Sequence, residues 1–235
     1  EELIKGSQPL NYVPYSILNY ILTPHSTKNT LVCKSVVIEK RYRDSDHTKA
    51  LSTFYSKSFR YINPECKRLH LFASRVKFED LNELERLSKS YLGFIVLRPF
   101  EHRKIGRTVL KRHDYDPHLE FPTCTGSFTV NIGGSQIEFS GSAFIEQDTM
   151  VAACASSAIW MSTTTLSKRY SLTQSSTTEI TEQASKYLIG NRPMPSQGLL
   201  PQQMVHCIKE MGYDPLLLDV SGIDQACLLY TSPSP

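Results

Sequence analysis

The sequence lacks several features that would place it in a specialised class of protein. It has no apolar run of about eighteen residues or more, so we predict no membrane-spanning helix. Its six cysteines include no C-x-x-C pair, which argues against a structural zinc site. Neither sign of charge is in large excess. The net charge of +3 is too small to favour nucleic acid or an anionic membrane as a partner.

What the chain does have is the composition of an ordinary globular protein. Its 235 residues suffice for one large domain or two small ones, and 40% of them are hydrophobic. The cysteines are scattered, and their number is odd once Cys227 is set aside, which makes a poor disulfide framework. We therefore predict free thiols in a reducing compartment, and hence a cytoplasmic location.

The two ends of the sequence predict a fragment. The chain begins at Glu1 without an initiator methionine, and its last nine residues, CLLYTSPSP, resemble a sequencing adapter translated in frame. We therefore expect residues 227–235 to be an artefact and the natural sequence to depart from this one after Ala226.

Residues 1–117 alternate predicted strands and helices. β-Branched and short apolar runs predict the strands, and apolar residues at helical spacing predict the helices. The predicted strands are 31–39, 68–73, 94–97 and 105–110, and the predicted helices are 44–61 and 78–91. This order indicates a mixed α/β domain of unknown role, with Gly93 separating the second helix from the third strand.

Residues 118–226 are predicted to be β first and then largely α. Apolar and polar residues alternate over 127–132 and 136–144, on either side of Gly133 and Gly134, which predicts a β-hairpin. Helices are predicted at 150–161, 180–188 and 202–211, and a further strand at 216–220.

The segment FIEQDTMVAACASSAIWM, residues 144–161, carries the most chemistry. A polar loop leads into a helix that contains Cys154, and small residues surround that cysteine. Backbone N–H groups and the helix dipole at a helix N-terminus favour the thiolate, which is the nucleophilic form. Gln147 can donate one hydrogen bond to the oxyanion of a tetrahedral intermediate, and the backbone N–H of Cys154 can donate a second.

This segment resembles the papain-like cysteine peptidases, including the double-glycine leader peptidases of bacteriocin exporters. In that family a glutamine precedes a cysteine that begins a long central helix, as Gln147 precedes Cys154. The resemblance implies an α+β fold in which the cysteine-bearing helix packs against an antiparallel sheet, preceded here by the mixed α/β region. It also implies a general-base histidine and an orienting asparagine or aspartate beyond Ala226, and it implies no cofactor and no metal.

The spacing of the two candidate residues departs from that family. Cys154 follows Gln147 by seven residues, one more than is usual, so Asp148 occupies the customary offset. An ionised aspartate cannot donate a hydrogen bond to an oxyanion, and whether Gln147 or Asp148 faces the site stays open. A cysteine among alanines is also commonly a small buried side chain with no chemical role.

The sequence predicts a cysteine peptidase that hydrolyses peptide or isopeptide bonds of a peptide or protein substrate through an acyl-enzyme. Two alternatives are a catalytically inactive papain-like module that binds peptide and a transglutaminase-like acyl transferase. A third hypothesis, disfavoured by the small net charge, is a nucleic-acid surface on the N-terminal half. Its basic residues would be Lys40, Arg41, Arg43, Lys67 and Arg68.

Overall fold

An antiparallel sheet and a layer of helices make up the part of the chain that the structure, a computed structural model, describes. That part comprises residues 32–57, 61–77, 84–100, 104–111, 125–146, 154–186 and 199–218. Within it the fold is α+β, with a six-stranded sheet and five α-helices. None of these helices is both long enough and apolar enough to cross a bilayer.

The elements alternate between strands and helices at first and are mostly helical at the end. The strands are β1 (Ser35–Tyr42), β2 (Cys66–Phe72), β3 (Tyr91–Leu97), β4 (Ile105–Leu110), β5 (Gly126–Ile132) and β6 (Ser135–Phe144). The helices are α1 (Ser45–Thr53), α2 (Leu84–Ser90), α3 (Cys154–Tyr170), α4 (Thr177–Lys186) and α5 (Pro201–Glu210). A single 3-10 turn, Tyr55–Lys57, follows α1.

The order of the strands joins the two halves of the chain in one sheet. It runs β1-β2-β3-β4-β6-β5, and every neighbouring pair is antiparallel. The first four strands form a meander, whereas β6 pairs with β4 at three positions, from Thr108 with Phe144 to Leu110 with Ser142. The domain boundary expected near residue 117 lies outside the described residues, and the sheet contains strands from both sides of it.

The β5–β6 hairpin agrees with its prediction. Gly133 and Gly134 have φ values of 54° and 86°, a conformation that a tight two-residue hairpin turn requires and that glycine adopts without strain. Buried and exposed residues alternate along β5, so that Phe128, Val130 and Ile132 face the core.

The predicted break at Gly93 is wrong, because β3 passes straight through this residue. The strand begins at Tyr91, where a helix was expected to end, and α2 ends at Ser90. Gly93 has a φ of 122°, and a Cβ atom added to it would lie 2.1 Å from the carbonyl oxygen of Val109 on β4. The glycine is therefore needed for close approach of two strands and not for a chain break.

Several other boundaries differ from their predictions. The first strand begins at Ser35 and continues to Tyr42, which is three residues beyond the predicted end. Helix α1 ends at Thr53, and Tyr61, the predicted last residue of that helix, has an exposed side chain in an irregular segment. Helix α3 (Cys154–Tyr170) continues well past the predicted end at residue 161, and its predicted start at residue 150 lies outside the described residues.

The strand predicted at residues 216–220 is absent from the described residues of that segment. Leu216, Leu217 and Leu218 have no regular secondary structure, and their side chains are exposed. In contrast, the helix expected before it is present as α5, and Gly212, with a φ of 88°, follows that helix as the sequence predicts.

Buried apolar side chains form four clusters in the described residues, of which one in the sheet and one in the helical layer contain the largest fully buried aromatic residues. Phe72, Tyr91 and Phe139 are among the buried aromatic residues of the sheet, with edge-on ring contacts. In the helical layer Trp160 of α3 is fully buried against Ile180 of α4 and other apolar side chains. The prediction that Trp160 belongs to the core is therefore confirmed, and α3 is held in place along its middle.

Candidate functional site

Cys154 is the first residue of α3, a helix of 17 residues. The first N–H groups of an α-helix have no partner within the helix and form the positive end of its dipole. No acidic residue lies in the first turn of α3, while Lys168 and Arg169 lie in its last turn. The helix therefore carries no carboxylate of its own that would offset the positive field at Cys154.

The residues that follow Cys154 fix the start of α3 against α4. Ser156 is buried, and its Oγ lies 3.0 Å from the Oγ1 of Thr181. Thr181 in turn donates to the carbonyl of Thr177 one turn earlier on α4. A hydroxyl pair shielded from water is directional, so it fixes the rotation of α3 as well as its distance from α4.

The far end of α3 lies close to the β5–β6 hairpin. A Cβ atom added to Gly126, the first residue of β5, would lie 3.3 Å from the Cβ of Lys168 and 3.6 Å from the Cα of Thr165. The absence of a side chain at Gly126 thus allows the helix to approach the strand. The cysteine-bearing helix packs on β5 and β6, which is an antiparallel hairpin.

N-terminal to Cys154, the buried residue Glu146 lies two positions after the end of β6. The side-chain Oε2 of Glu146 accepts a hydrogen bond from the N–H of Ile105 at 2.9 Å, and the N–H of Glu146 donates to the carbonyl of Ile105 at 3.2 Å. The carbonyl of Glu146 accepts from Nη2 of Arg98 at 3.1 Å. Sequence reasoning missed both residues, since their partners are distant in the chain.

Gln147, the predicted oxyanion donor, and its neighbour Asp148 lie outside the described residues. The backbone of Cys154 is described as part of α3, whereas its side chain is not. The predicted pairing of Gln147 with Cys154 therefore stays a prediction. The structure fixes the two flanks of this segment, at Glu146 and at Ser156.

Three other cysteines of the described residues are free thiols in less reactive settings. Burial, with a contribution from the charge of Asp44, raises the pKa of the Cys66 thiol to about 12. Burial alone raises the pKa of Cys207 to about 11, and burial also raises the pKa of Cys33. These thiols are protonated at neutral pH, and a protonated thiol is a poor nucleophile.

The histidines within the described residues have partners of their own. His47 Nε2 lies 3.0 Å from the carbonyl oxygen of Asn63, and His70 is buried between the hydroxyl of Tyr91 and the carboxylate of Glu39. Burial, and next the positive charge of Arg68, lower the pKa of His70 to about 4, so its ring is neutral near pH 7. His206, on α5, directly precedes the buried Cys207. The candidates His25, His102, His113 and His118 lie outside the described residues.

The basic residues of the N-terminal half are not all available to a nucleic acid. Arg68 is buried, ion-paired with Glu39, and donates to the carbonyl of Asn131 at 2.9 Å. Its guanidinium also lies 4.1 Å from the centre of the Tyr42 ring. Arg68 therefore stabilises contacts within the protein and does not serve as a phosphate contact.

A second polar cluster lies where α1 meets β4 and α4. The Oδ1 atom of Asp44 accepts from the N–H of His47 and caps α1, while its Oδ2 lies 3.2 Å from Nε of Arg107. Asp46, in the first turn of α1, is also buried, and Lys49 of the same helix forms an ion pair with Glu179 of α4 at 2.7 Å. These contacts join the N-terminal half to the helical layer.

No protein-family model, curated protein or solved structure matches this chain.

Proposed function

We propose that this protein is a thiol hydrolase of papain-like type, with Cys154 as its nucleophile. The observation that carries the proposal is the position of Cys154 as the first residue of a long helix that packs on an antiparallel hairpin. The start of a helix supplies free N–H groups and the positive end of a dipole, which lower the pKa of a thiol and stabilise an adjacent anion.

The reaction that this arrangement supports is acyl transfer. The thiolate of Cys154 would attack the carbonyl carbon of a peptide or isopeptide bond and form a tetrahedral intermediate. The oxyanion would accept hydrogen bonds from the backbone N–H of Cys154 and from the side chain of Gln147. Collapse of the intermediate would release the amine, which takes a proton from a general acid, and water would then hydrolyse the thioester.

Alkylation kinetics at Cys154 test the proposal. The rate constant for iodoacetamide would be measured from pH 5 to pH 10, with each cysteine quantified separately by peptide mass spectrometry. We expect the Cys154 profile to report a pKa at least one unit below the ordinary thiol value of about 8.5. Cys33 is an internal reference in the same tube, because it is only partly buried and burial raises its pKa.

A Cys154→Ala variant controls for reaction at other residues and for any hydrolysis that the preparation shows. A Cys154 profile centred at or above the ordinary thiol value, in folded protein, would contradict the proposal. Retained binding of peptides by such an unreactive protein would instead indicate the peptide-binding module. Transfer of an acyl group from a glutamine peptide to an added primary amine would indicate the transglutaminase-like reaction.

A further inference from the structure

Strand β1 lies at one edge of the sheet, and among the described strands only β2 pairs with it. An antiparallel neighbour leaves every second backbone N–H and C=O of a strand pointing away from it, so the outer side of β1 presents a row of such groups. Very short edge strands are protected from pairing with another chain, but β1 has 8 residues. Its outer side is therefore long enough to pair with an extended peptide.

The exposed face of β1 has an apolar centre. Exposed and half-buried residues alternate along most of the strand, and Val36 and Ile38 lie on the exposed face, with 46% and 40% of their surfaces accessible. Opposite these two residues, which we call the apolar pair, Leu71 and Leu69 of β2 are buried. The apolar pair therefore extends the apolar surface of the sheet as far as its edge.

The other edge of the sheet, at β5, has a different character. Its exposed residues are polar, namely Ser127, Thr129 and Asn131. Polar and charged side chains are the usual means by which an edge strand avoids contact with another chain. An apolar centre on the exposed face is thus particular to β1 and is not shared by both edges of this sheet.

Lysines lie at both ends of this apolar centre. Lys34 and Lys40 are exposed on the same face as the apolar pair, and about 20 Å separates their Cα atoms in an extended strand. Lys67 of β2 is exposed on that face as well. Within the described ranges no acidic side chain forms an ion pair with any of these three lysines. Their positive charges therefore favour an acidic partner.

A second copy of this chain fits the outer side of β1 poorly. Antiparallel pairing of two β1 strands that places Val36 opposite Ile38 also places Lys34 opposite Lys40. Like charges directly opposite each other destabilise a strand pair, whereas a carboxylate at each of these places would be attracted. The charges thus favour a partner that has acidic residues at both ends of an apolar centre.

We propose that the outer side of β1 is a docking site for an acidic, extended peptide segment of another protein, which adds to the sheet as a further strand. The segment that fits has two apolar residues at alternate positions, with an acidic residue two positions before the first and another two positions after the second. Its backbone bonds to β1, its apolar side chains pack on the apolar pair, and its carboxylates lie near Lys34 and Lys40. This inference is independent of the chemistry at Cys154.

Fluorescence anisotropy with a labelled peptide of sequence SETVTITES, both ends blocked, tests the proposal. We expect a Kd on the order of 10–100 μM at low ionic strength, because a single added strand forms a small interface, and we expect added salt to weaken binding. The peptide SKTVTITKS, with lysines in place of the acids, should bind at least about tenfold more weakly. Cys154→Ala should give the same values, which excludes an effect of peptide hydrolysis.

A charge exchange tests the role of the lysines. The double variant Lys34→Glu with Lys40→Glu should bind SETVTITES at least about tenfold more weakly than the wild type, and SKTVTITKS more tightly than the wild type does. The matched control is Lys186→Glu with Lys209→Glu, which changes the net charge equally at exposed positions of α4 and α5. We expect this control to stay within about twofold of the wild type.

The apolar pair is tested by the double variant Val36→Thr with Ile38→Thr. Threonine is β-branched and suits a strand, so the fold should be retained, and thermal unfolding checks this. The change removes apolar surface from the proposed contact, and we expect binding of SETVTITES to weaken by about tenfold.

Backbone pairing is tested separately from side-chain contact. Alternate residues of an added strand direct their N–H groups to the same side, so N-methylation of the valine and isoleucine of the peptide blocks one side, and N-methylation of its threonines blocks the other. One methylated peptide should bind at least about tenfold more weakly, and the other should bind like SETVTITES. Saturation with SETVTITES should also slow amide hydrogen exchange in β1 and leave exchange in β5 unchanged.

Several results would overturn the proposal. The absence of SETVTITES binding up to about 1 mM, equal effects of the two pairs of lysine variants, or full binding by both methylated peptides would each do so. Dimerisation in sedimentation equilibrium that Val36→Thr with Ile38→Thr abolishes would assign the outer side of β1 to a second copy instead. Binding of an oligodeoxythymidylate that is tighter than that of SETVTITES and unaffected by this double variant would assign the lysines to nucleic acid.

Discussion

The buried carboxyl group of Asp46 lies near that of a second buried acid, Asp44. Asp46 is 8% exposed, in the first turn of α1, and no ion pair or hydrogen bond within the described residues reaches its side chain. Burial, and next the negative charge of Asp44, raise its pKa to about 7, while Arg107 and Lys49 oppose that rise. The charge of Glu179, on the facing helix, adds to it. The protonated form is therefore favoured in the folded state.

This shift predicts that stability falls as the pH rises. The folded-state pKa of Asp46, about 7, lies above its ordinary value of 3.8, so the native state binds the proton more tightly than the unfolded state. The resulting stabilisation is complete below pH 4 and is lost between about pH 4 and pH 7. Asp46→Asn should therefore raise the free energy of unfolding at pH 8 by up to about 4 kcal/mol and leave it unchanged near pH 4. Urea unfolding at both pH values measures the difference.

Asp44→Asn is the control, because we expect it to lower the free energy of unfolding at pH 8, where Asp46→Asn raises it. Asn retains the ability to cap α1, but it leaves the partly buried Arg107 guanidinium without the anionic partner at Asp44. We expect a loss of about 3 kcal/mol at pH 8. Equal effects from Asp44→Asn and Asp46→Asn would contradict the different roles assigned to the two carboxyl groups.

At the scale of elements, α3 and α4 are joined by a hydroxyl pair next to the candidate nucleophile. Ser156→Ala leaves Thr181 with its bond to the carbonyl of Thr177, and Thr181→Val leaves a buried Ser156 hydroxyl without that partner. In a double-mutant cycle we expect a coupling energy of about 1 kcal/mol between the two positions. The free energies of unfolding of the two single variants, the double variant and the wild type give this value. A coupling energy near zero would show that the pair does not fix the two helices.

The β3–β4 contact predicts an unusually costly glycine substitution. Gly93→Ala places a methyl group 2.1 Å from the carbonyl oxygen of Val109 at a φ of 122°, so the two strands must separate. We expect a loss of more than about 3 kcal/mol, measured by denaturant unfolding.

Gly134→Asn is the comparison, since nothing lies within 4 Å of the added Cβ and asparagine tolerates a positive φ. It should cost less than about 1 kcal/mol. A Gly93→Ala variant that loses less than about 1 kcal/mol of unfolding free energy would contradict the close approach of β3 and β4 at Gly93.

The elements that sequence predicts well are those determined by neighbours in the chain. The hairpin at Gly133 and Gly134 needs only alternation and a turn that accepts positive φ, and both are visible in the residues themselves. Gly93 has the same residue type and a different role, because its constraint comes from Val109 on another strand. The strand predicted at 216–220 is absent over its described residues, 216–218, for a related reason, since apolar residues form a strand only where a neighbouring strand is available to pair with them.

At the scale of the whole molecule, the short β4–β6 seam joins the meander to the hairpin. Gly141 of β6 lies against this seam, and a Cβ atom there would lie 2.8 Å from the carbonyl oxygen of Leu110. We expect Gly141→Ala to lower the free energy of unfolding by about 3 kcal/mol, because backbone atoms cannot move aside as a side chain would.

Hydrogen exchange shows which elements share the loss of stability in Gly141→Ala. If the sheet and the helical layer unfold together, amides of β2 and of α3 should lose the same protection in Gly141→Ala. Loss of amide protection in only one of these two elements would show that they belong to independently folding units. Gly126→Ala, where the nearest atoms are side-chain carbons at 3.3 Å and 3.4 Å, should cost less.

The same distinction between local and distant determinants applies to the candidate site. The helix at Cys154 is encoded within a few residues, and the sequence predicted a helix there, although the predicted start at residue 150 lies outside the described residues. Arg98 and Glu146 are 48 residues apart, and no periodic pattern relates them. Their contact depends on β4 and β6 lying side by side, with β5 outside them, and that order cannot be read from any single segment.

The strand order also has a consequence for the chain as it is synthesised. Strands β1 to β4 are consecutive neighbours and can pair as soon as they leave the ribosome, whereas β4 receives its second neighbour only when β6 has been made. During that interval the outer edge of β4 offers free backbone groups, with Ile105 and Val109 beside them, to any other extended chain. A nascent chain of this protein is thus most exposed to aggregation in the window between completion of β4 and arrival of β6.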